Sequence, residues 1–582
     1  MKTKLLLTIL IGLICLGRAD SQTYQSAFNL GGAGDDKGYS IALDGFANVY
    51  VTGNFYGTVD FDPGAGTANL TGIGNQDIFV AKYTSSGAYQ WAFRLGSGSD
   101  DYGYGIALDS SANVYVTGYF AGTADFDPGA GIANLSSTGS RDIFVAKYTS
   151  AGNYQWAFNI GASTLMSSGY SITVDDSANV YVTGFFQSTA DFDPGAGTAY
   201  LSAASRDIFV AKYTSSGAYQ WAFKVGTGSD DYGYEIVLDS SANVYVTGYF
   251  QGTTDFDTGA GIANLAQVGG TDIFVAKYTS SGIYQWAFAV GSGTTDAGFS
   301  IALDGSANVY ITGDFSGTAD FDPGVGVANL NSTGSYDIFI AKYNSSGAYQ
   351  WAFKVGSTLS DAGNSIALDG SSNVYVIGGF SGTADFDPGA GVTNLTPSGL
   401  ADLFVAKYTS AGVYQWAFNV GGTGNDFGRG IALDDSCNIY ITGDFLVTAD
   451  FDPGAGTANL TSAGNADFFV AKYGCSLSPV SIEFFNRNEN SISIFPNPFS
   501  TQTTINVNGQ LKMNNGEFVM YDVYGREVKK ISIVNYPFSI QRDNLPSGVY
   551  FFRLTTSSPS LLLKEKGERV EVIATGKLVI TD

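Results

Sequence analysis

Tyr89-Gln90-Trp91-Ala92-Phe93 recurs unchanged from Tyr154, Tyr219, Tyr284, Tyr349 and Tyr414, and these copies hold all six tryptophans of the chain. Each tryptophan follows the previous one by 65 residues, a spacing only a tandem repeat produces. A seventh copy stands at Tyr24 to Phe28, with Ser26 where the others have Trp. A second anchor, Asn-Val-Tyr or Asn-Ile-Tyr, begins at Asn48, Asn113, Asn179, Asn243, Asn308, Asn373 and Asn438. The steps of 66 and 64 residues around Asn179 mark a one-residue insertion near Met166 and a deletion near Ala204, changes that loops tolerate.

Working outward from the tryptophan, each unit holds four short segments rich in β-branched and aromatic residues, bounded by Gly, Ser, Asn and Asp. In the first unit they are Ser40 to Asp44, Asn48 to Gly53, Asp77 to Tyr83 and Tyr89 to Phe93. None has helical periodicity. The second and third carry apolar side chains on both faces, as sheets covered on both sides require. Four antiparallel strands repeated seven times predict an all-β fold, a seven-bladed β-propeller. A linear solenoid is the alternative, and the chain ends argue against it. The first copy of the fourth segment precedes the first copy of the first, while the last unit stops at its third, Asp467 to Tyr473. Tyr24 to Phe28 therefore supplies the missing strand and closes the ring.

The 582 residues include 53 acidic and 28 basic side chains, a formal charge of -25, and no histidine. Without histidine the chain lacks the commonest general base, the usual partner of a Ser or Cys nucleophile and the commonest ligand of catalytic zinc. The acidity disfavours nucleic acid as a partner. Residues 1–19 read as a cleaved secretory signal, with Lys2 and Lys4 before an apolar run too short to span a bilayer. No other stretch reads as a transmembrane span. Residues 20–475 form the propeller, 476–490 a linker and 491–582 a second domain. Residues 20–475 carry 14 basic and 43 acidic side chains, whereas the remainder is nearly neutral. The mature chain keeps Cys437 and Cys475, in an oxidising compartment. Antiparallel neighbours bring the start of the second strand beside the end of the third, so these two fit a disulfide; two buried thiols are the alternative.

Most carboxylates fall at one end of the ring, in the loops between units and between the second and third strands. The latter connection, about two dozen residues, exceeds what a propeller turn needs and reads as a small hairpin. It carries aspartates two apart at Asp60 and Asp62, Asp125 and Asp127, Asp191 and Asp193, Asp320 and Asp322, Asp385 and Asp387, and Asp450 and Asp452. Such pairs before a glycine-rich turn resemble fragments of calcium loops, but aspartate also builds turns through its own backbone hydrogen bonds. Turn structure is the favoured reading, with no cofactor and calcium as the alternative; Thr258 after Asp257 shows that the motif tolerates change. The aspartate ending the first strand (Asp44, Asp109, Asp239) and the lysine of the third (Lys82, Lys147, Lys277) read as ion pairs rather than an anion-binding ring. Tyr102, Tyr104, Tyr232 and Tyr234, assigned to the loops between units, could stack on sugars or pack against neighbouring hairpins, and packing is preferred. Glu235, the propeller's only glutamate, and Arg429 are each unique at their position. An enzyme predicts one asymmetric pocket holding either of them with partners; a scaffold predicts near-sevenfold equivalence.

The unit GxxIALDxxANVYVTG, DIFVAKY, YQWAF resembles the SBBP-type β-propeller repeat, which implies a fold and no catalytic residues. The second domain resembles the type A C-terminal sorting domain of type IX secretion. The resemblance rests on Ile494-Phe495-Pro496-Asn497-Pro498-Phe499, Tyr521 to Val528 with Gly525, Leu545-Pro546-Ser547-Gly548-Val549-Tyr550, and the terminal strand Gly576 to Ile580 with Lys577. Residues 557–571 depart from the family pattern as a charged insertion. The resemblance implies a small Ig-like β-sandwich that engages the type IX machinery, carrying the protein across the outer membrane to be anchored on surface polysaccharide or released. The expectation is a secreted or cell-surface monomer that binds a glycan or protein through its acidic face. A carbohydrate-active lyase or hydrolase, and a surface-coat component without a discrete ligand, are the alternatives.

Overall fold

The computed structural model describes residues 22–161, 165–475, 491–508, 516–522, 526–533, 537–558 and 569–580. The described secondary structure is all β, in two compact units that divide after Ser476. The expected leader, linker and Gly525 lie outside the described residues.

The first unit is a seven-bladed propeller. In blade 1 the strands Lys37–Leu43, Val49–Phe55, Asp77–Tyr83 and Tyr89–Leu95 pair antiparallel in that order, from inner to outer. Inner strands contact inner strands around a closed ring, including Lys37–Leu43 against Phe427–Leu433 of blade 7. The outer strand of blade 7 is Gln22–Leu30, paired with Asn459–Cys475 in a register that sets Phe28 opposite Val470. The N-terminal strand thus closes the ring, as the order of the segments predicts.

The packed core lies between blades, which explains the doubly apolar strands. Tyr50, Ile78, Val80 and Leu95 of blade 1 pack with Ile106, Val114, Val116 and Phe144 of blade 2, all buried. The repeated Trp fastens this joint. Trp91 Nε1 donates to the Ser150 carbonyl of the next blade at 3.2 Å, and Lys82 Nζ donates to the same oxygen at 3.3 Å. Gly152, at φ +80°, lets its turn approach so closely that a Cβ there would meet the Trp91 ring at 3.2 Å.

Asp44 anchors the turn after the inner strand, accepting from the Phe46 and Asn48 amides, the Asn48 side chain and the Tyr50 hydroxyl. These bonds hold its carboxyl below the ordinary range against the opposing effect of burial. They also account for the Asp-x-x-Ala-Asn repetition. Lys82 lies 3.9 Å from Asp44, Lys277 3.8 Å from Asp239 and Lys407 3.8 Å from Asp369, so the expected pairing is found in these blades. The same ammonium groups also sit over tyrosine rings, as Lys82 does over Tyr50 at 4.7 Å.

The second unit is a sandwich. One sheet holds Ser491–Phe495, Gln502–Asn508 and Phe538–Gln541; the other holds Glu527–Ile533, Gly516–Tyr521, Gly548–Ser558 and Arg569–Ile580. Ile505 and Ile540 of the first sheet meet Phe518, Phe552 and Leu578 of the second in one buried cluster.

Candidate functional site

Each hairpin aspartate has one carboxylate oxygen engaged by its own turn. Asp60 Oδ1 accepts from the Asp62 amide at 3.1 Å and the Ala68 amide at 2.7 Å, and Asp62 Oδ1 accepts from Gly64 at 2.8 Å. The same bonds recur at Asp125 and Asp127, Asp191 and Asp193, Asp320 and Asp322, Asp385 and Asp387, and Asp450 and Asp452. The residue between each pair is a core plug; Phe61 is fully buried against Phe79. Among the described residues no three His, Cys, Asp or Glu side chains are grouped to hold a metal ion.

Deeper carboxylates sit where blades meet at this acidic end. Asp101 accepts from the amides of Ser97 and Ala121, and Asp231 from those of Thr227 and Gln251. Burial pushes both carboxyls up to about 7, against the lowering effect of those bonds. The buried aspartates that open the third strands take partners from the outer strand: Asp77 Arg94, Asp207 Lys224, Asp337 Lys354, Asp142 Asn159 and Asp402 Asn419. At Asp272 the corresponding residue is Ala289, and burial raises that carboxyl to about 6.

The central channel departs from sevenfold equivalence. Each inner strand carries a β-bulge after its glycine, as between Gly38 and Ser40, which sets the bulged residue at the channel. Around the ring these residues are Tyr39, Tyr104, Tyr170, Tyr234, Phe299, Asn364 and Arg429. The five aromatics form a continuous chain of contacts with centroids 4.9, 5.2, 5.4 and 5.3 Å apart. Tyr102 stacks on Tyr119 at 5.0 Å and Tyr232 on Tyr249 at 4.9 Å. The preferred packing is therefore found, but against strands; these tyrosines belong to inner strands, not to the loops the sequence reading assigned them. The bulge moves the strand start back toward the loop, and alternation alone does not reveal it.

Glu235 follows the bulge of blade 4 and accepts from the Ile301 amide of blade 5 at 2.6 Å. Ser300 accepts from Ile366 of blade 6 in the same way, at 3.0 Å. Glu235 thus enlarges a repeated bridge between blades; burial pushes its carboxyl up to about 7.

Arg429, which shares the channel lining with Glu235, also borders a hollow of about 340 Å³ between blades 5, 6 and 7, lined among others by Asp314, Asp361, Asn364, Gly379 and Phe427. Its Nε donates to Asp444, and its guanidinium lies 5.1 Å from the Tyr39 ring and 5.8 Å from Phe427. Asn364 donates to the Gly428 carbonyl at 2.9 Å, and Asp361 accepts from the Ser357 and Ser381 amides. Among the described residues none donates a hydrogen bond to Asp314; burial, with a smaller contribution from Asp296, pushes its carboxyl up to about 7. The hollow exists because Asn364 and Gly379 stand where other blades carry Tyr104 and Tyr119, or Tyr234 and Tyr249. Sequence reasoning singled out Arg429 but missed Asp314, Asn364 and Gly379; aligning the seven copies by column exposes all three.

In the sandwich, the opening motif is tied to the terminal strand. Asn497 Oδ1 accepts from the Val579 amide at 2.9 Å, Phe499 donates to the Val579 carbonyl, and the Pro496 carbonyl accepts from Thr503. Pro498 lies between these contacts. Gly548 pairs with Ile580, Tyr550 donates to the Pro546 carbonyl at 2.8 Å, and Lys577 stands opposite Phe551. Cys437 immediately precedes the ladder that sets Ile439 opposite Tyr473, which brings the backbone of Cys475 beside it; the Cys475 side chain lies outside the described residues.

Residues 493–564 match the family model described as secretion system C-terminal sorting domain, and residues 90–119 the one described as beta-propeller repeat. An uncharacterized WD repeat-containing protein, L264 of Acanthamoeba polyphaga mimivirus, is 27% identical over 505 residues, 72% of this chain and 36% of the relative. The regulatory protein FlaEY of Caulobacter vibrioides is 27% identical over 144 residues, 25% of this chain and 15% of its own. This chain therefore spans about a third or less of these relatives. A solved fungal alcohol oxidase with copper covers 92% of this chain and 96% of its own, at 12% identity and a TM-score of 0.36, too distant to speak to chemistry. The described residues contain no helix long and apolar enough to cross a membrane. The chain thus carries an SBBP-type β-propeller repeat and a C-terminal sorting domain of the type IX kind.

Proposed function

We propose that the propeller is a non-catalytic binding module that acts outside the cell, and that its ligand, a glycan or protein, is engaged through the hollow between blades 5, 6 and 7. One observation carries this reading. The repeated hairpin carboxylates each accept backbone hydrogen bonds in blade after blade, whereas this hollow, formed where the repeat is broken, presents Asp314 without a donor among the described residues. Its volume falls within the ~300–1,000 Å³ range of small-ligand sites. Mature protein displayed against glycan and protein arrays tests the reading, with Asn364→Tyr as comparison. That variant restores the aromatic side chain of blades 1 to 4 and fills the hollow. Binding lost in the variant supports the reading; binding unchanged refutes it.

The same asymmetry favours a second reading, since one pocket holding Arg429 with partners is what an enzyme predicts. Hydrolysis by paired acids needs two carboxyl groups free to act, and here Asp361 is held by two amides and Asp444 by Arg429. Product formation from a bound glycan would decide for catalysis.

A further inference from the structure

We infer that the hollow takes a ligand bearing a primary ammonium group, with Asp314 as its counter-ion. This inference rests on the proposed binding role and names the chemistry of its ligand.

The carboxylates around the hollow differ in one respect. Asp361 accepts from two amides, Asp296 from the amides of Ser292 and Ser316, Asp426 from those of Gly422 and Leu446, and Asp444 from Arg429. Among the described residues Asp314 alone of these has no protein donor; it stands on the second strand of blade 5, the one half-buried side chain of a strand whose other positions are buried. A half-buried carboxylate that no protein donor meets is poorly compensated in its charged form. The protein relieves this by protonation, since burial and Asp296 hold the group near 7. A cation seated against it relieves the same strain and restores the charge.

The remaining lining points to the same chemistry. Asn364 gives one N–H to the Gly428 carbonyl, which leaves its Oδ1 as an acceptor beside its second N–H. Arg429 is neutralised by Asp444 and stacked between Tyr39 and Phe427, so the lining lacks an uncompensated cation to attract an anion. Phe427 supplies an aromatic surface of the kind that attracts ammonium groups. The formal charge of -25 steers cations toward the protein and repels anions. The positions equivalent to Asp314 are Asn54, Tyr119, Phe185, Tyr249, Gly379 and Asp444. Only Asp444 is also acidic, and it has its own arginine, so the ring holds one such site.

The charged and titratable groups bearing on Asp314 are Asp296 and, through weaker coupling, Tyr234, with Asp361 and Arg429 across the hollow. With Asp314 titrating near 7, ammonium binding weakens as pH falls from 8 to 6 and the carboxylate takes up a proton.

Calorimetric titration of the mature chain with cyclohexylamine, cyclohexanol and cyclohexanecarboxylate separates charge from shape. The inference expects one amine per chain, at least tenfold weaker binding of the alcohol, no binding of the carboxylate, and affinity falling about tenfold between pH 8 and pH 6. Asp314→Asn, which installs the Asn54 side chain of blade 1, should weaken the amine at least tenfold, while Asp193→Asn, removing one distant charge, should not. Equal binding of amine and alcohol, equal loss in both variants, or no amine binding overturns the inference. If arrays identify a ligand that Asn364→Tyr abolishes while the amine fails to bind, the binding role stands and this assignment of its ligand falls.

Discussion

Ala289→Lys should stabilise the propeller at neutral pH and leave it unchanged in mild acid. Ala289 stands opposite Phe274, as Lys224 stands opposite Phe209 and Lys354 opposite Phe339. Those lysines pair with Asp207 and Asp337, whereas Asp272, 1% exposed, has one oxygen bonded to the Val268 amide and the other without a partner. Its carboxyl stands at about 6 instead of 3.8. Two units correspond to about 3 kcal/mol at ~1.36 kcal/mol per unit. Because the folded value is raised, the native state binds the extra proton, and stability is full below pH 3.8 and falls as pH rises through 6. A lysine lowers the folded value and recovers part of the loss. The lysines in the equivalent place are about a third exposed, so solvent screening reduces the recovery to about 1 kcal/mol. Urea unfolding followed by tryptophan fluorescence reads the propeller alone, since all six tryptophans lie in it. Ala289→Met controls for the apolar stem. A higher midpoint at pH 7.5 but not at pH 4.5, for Lys and not for Met, is expected; an equal gain at both pH values, or no gain, refutes the reasoning.

Removing residues 22–30 takes away buried Leu30 and the Phe28 ring packed on Tyr83 at 4.9 Å, so the propeller should lose its cooperative transition; a synthetic 22–30 peptide should restore it. Cys437 and Cys475 should form a disulfide in the exported protein, seen as resistance to alkylation, and its reduction should lower stability by roughly 3–4 kcal/mol for a closed loop of about 38 residues. Adding calcium to chelated protein should leave the melting temperature unchanged, because each hairpin carboxylate already spends one oxygen on backbone amides and no three acidic side chains group to hold an ion among the described residues. A rise in melting temperature would restore the calcium reading.

What repetition encodes is legible from the chain. Seven copies of one strand order, with the fourth strand displaced to Tyr24, specify blades, their number and the closure, because a structural need met seven times leaves the same residue seven times. The site has the opposite logic. Asp314, Asn364 and Gly379 are ordinary residues, significant only because their counterparts in blades 2 and 4 are aromatic. The channel position of Asn364 depends on a bulge that period-two alternation does not show. Glu235 stood out by composition and proved to serve a bridge that serine makes in blade 5, whereas Arg429 stood out and does line the hollow. The partners of buried Asp77 and Asp207 were invisible for another reason: they come from the outer strand 17 residues later, a pairing that only the third-to-outer strand register supplies.

The central claim is that breaking the repeat at blades 5 to 7 creates a single binding site on an otherwise uniform ring. It is tested most directly by the calorimetric stoichiometry of an array-selected ligand on the mature chain and on Asn364→Tyr. The account predicts one ligand per chain and none on the variant. Several equivalent sites per chain, or a single site that survives Asn364→Tyr, would contradict it.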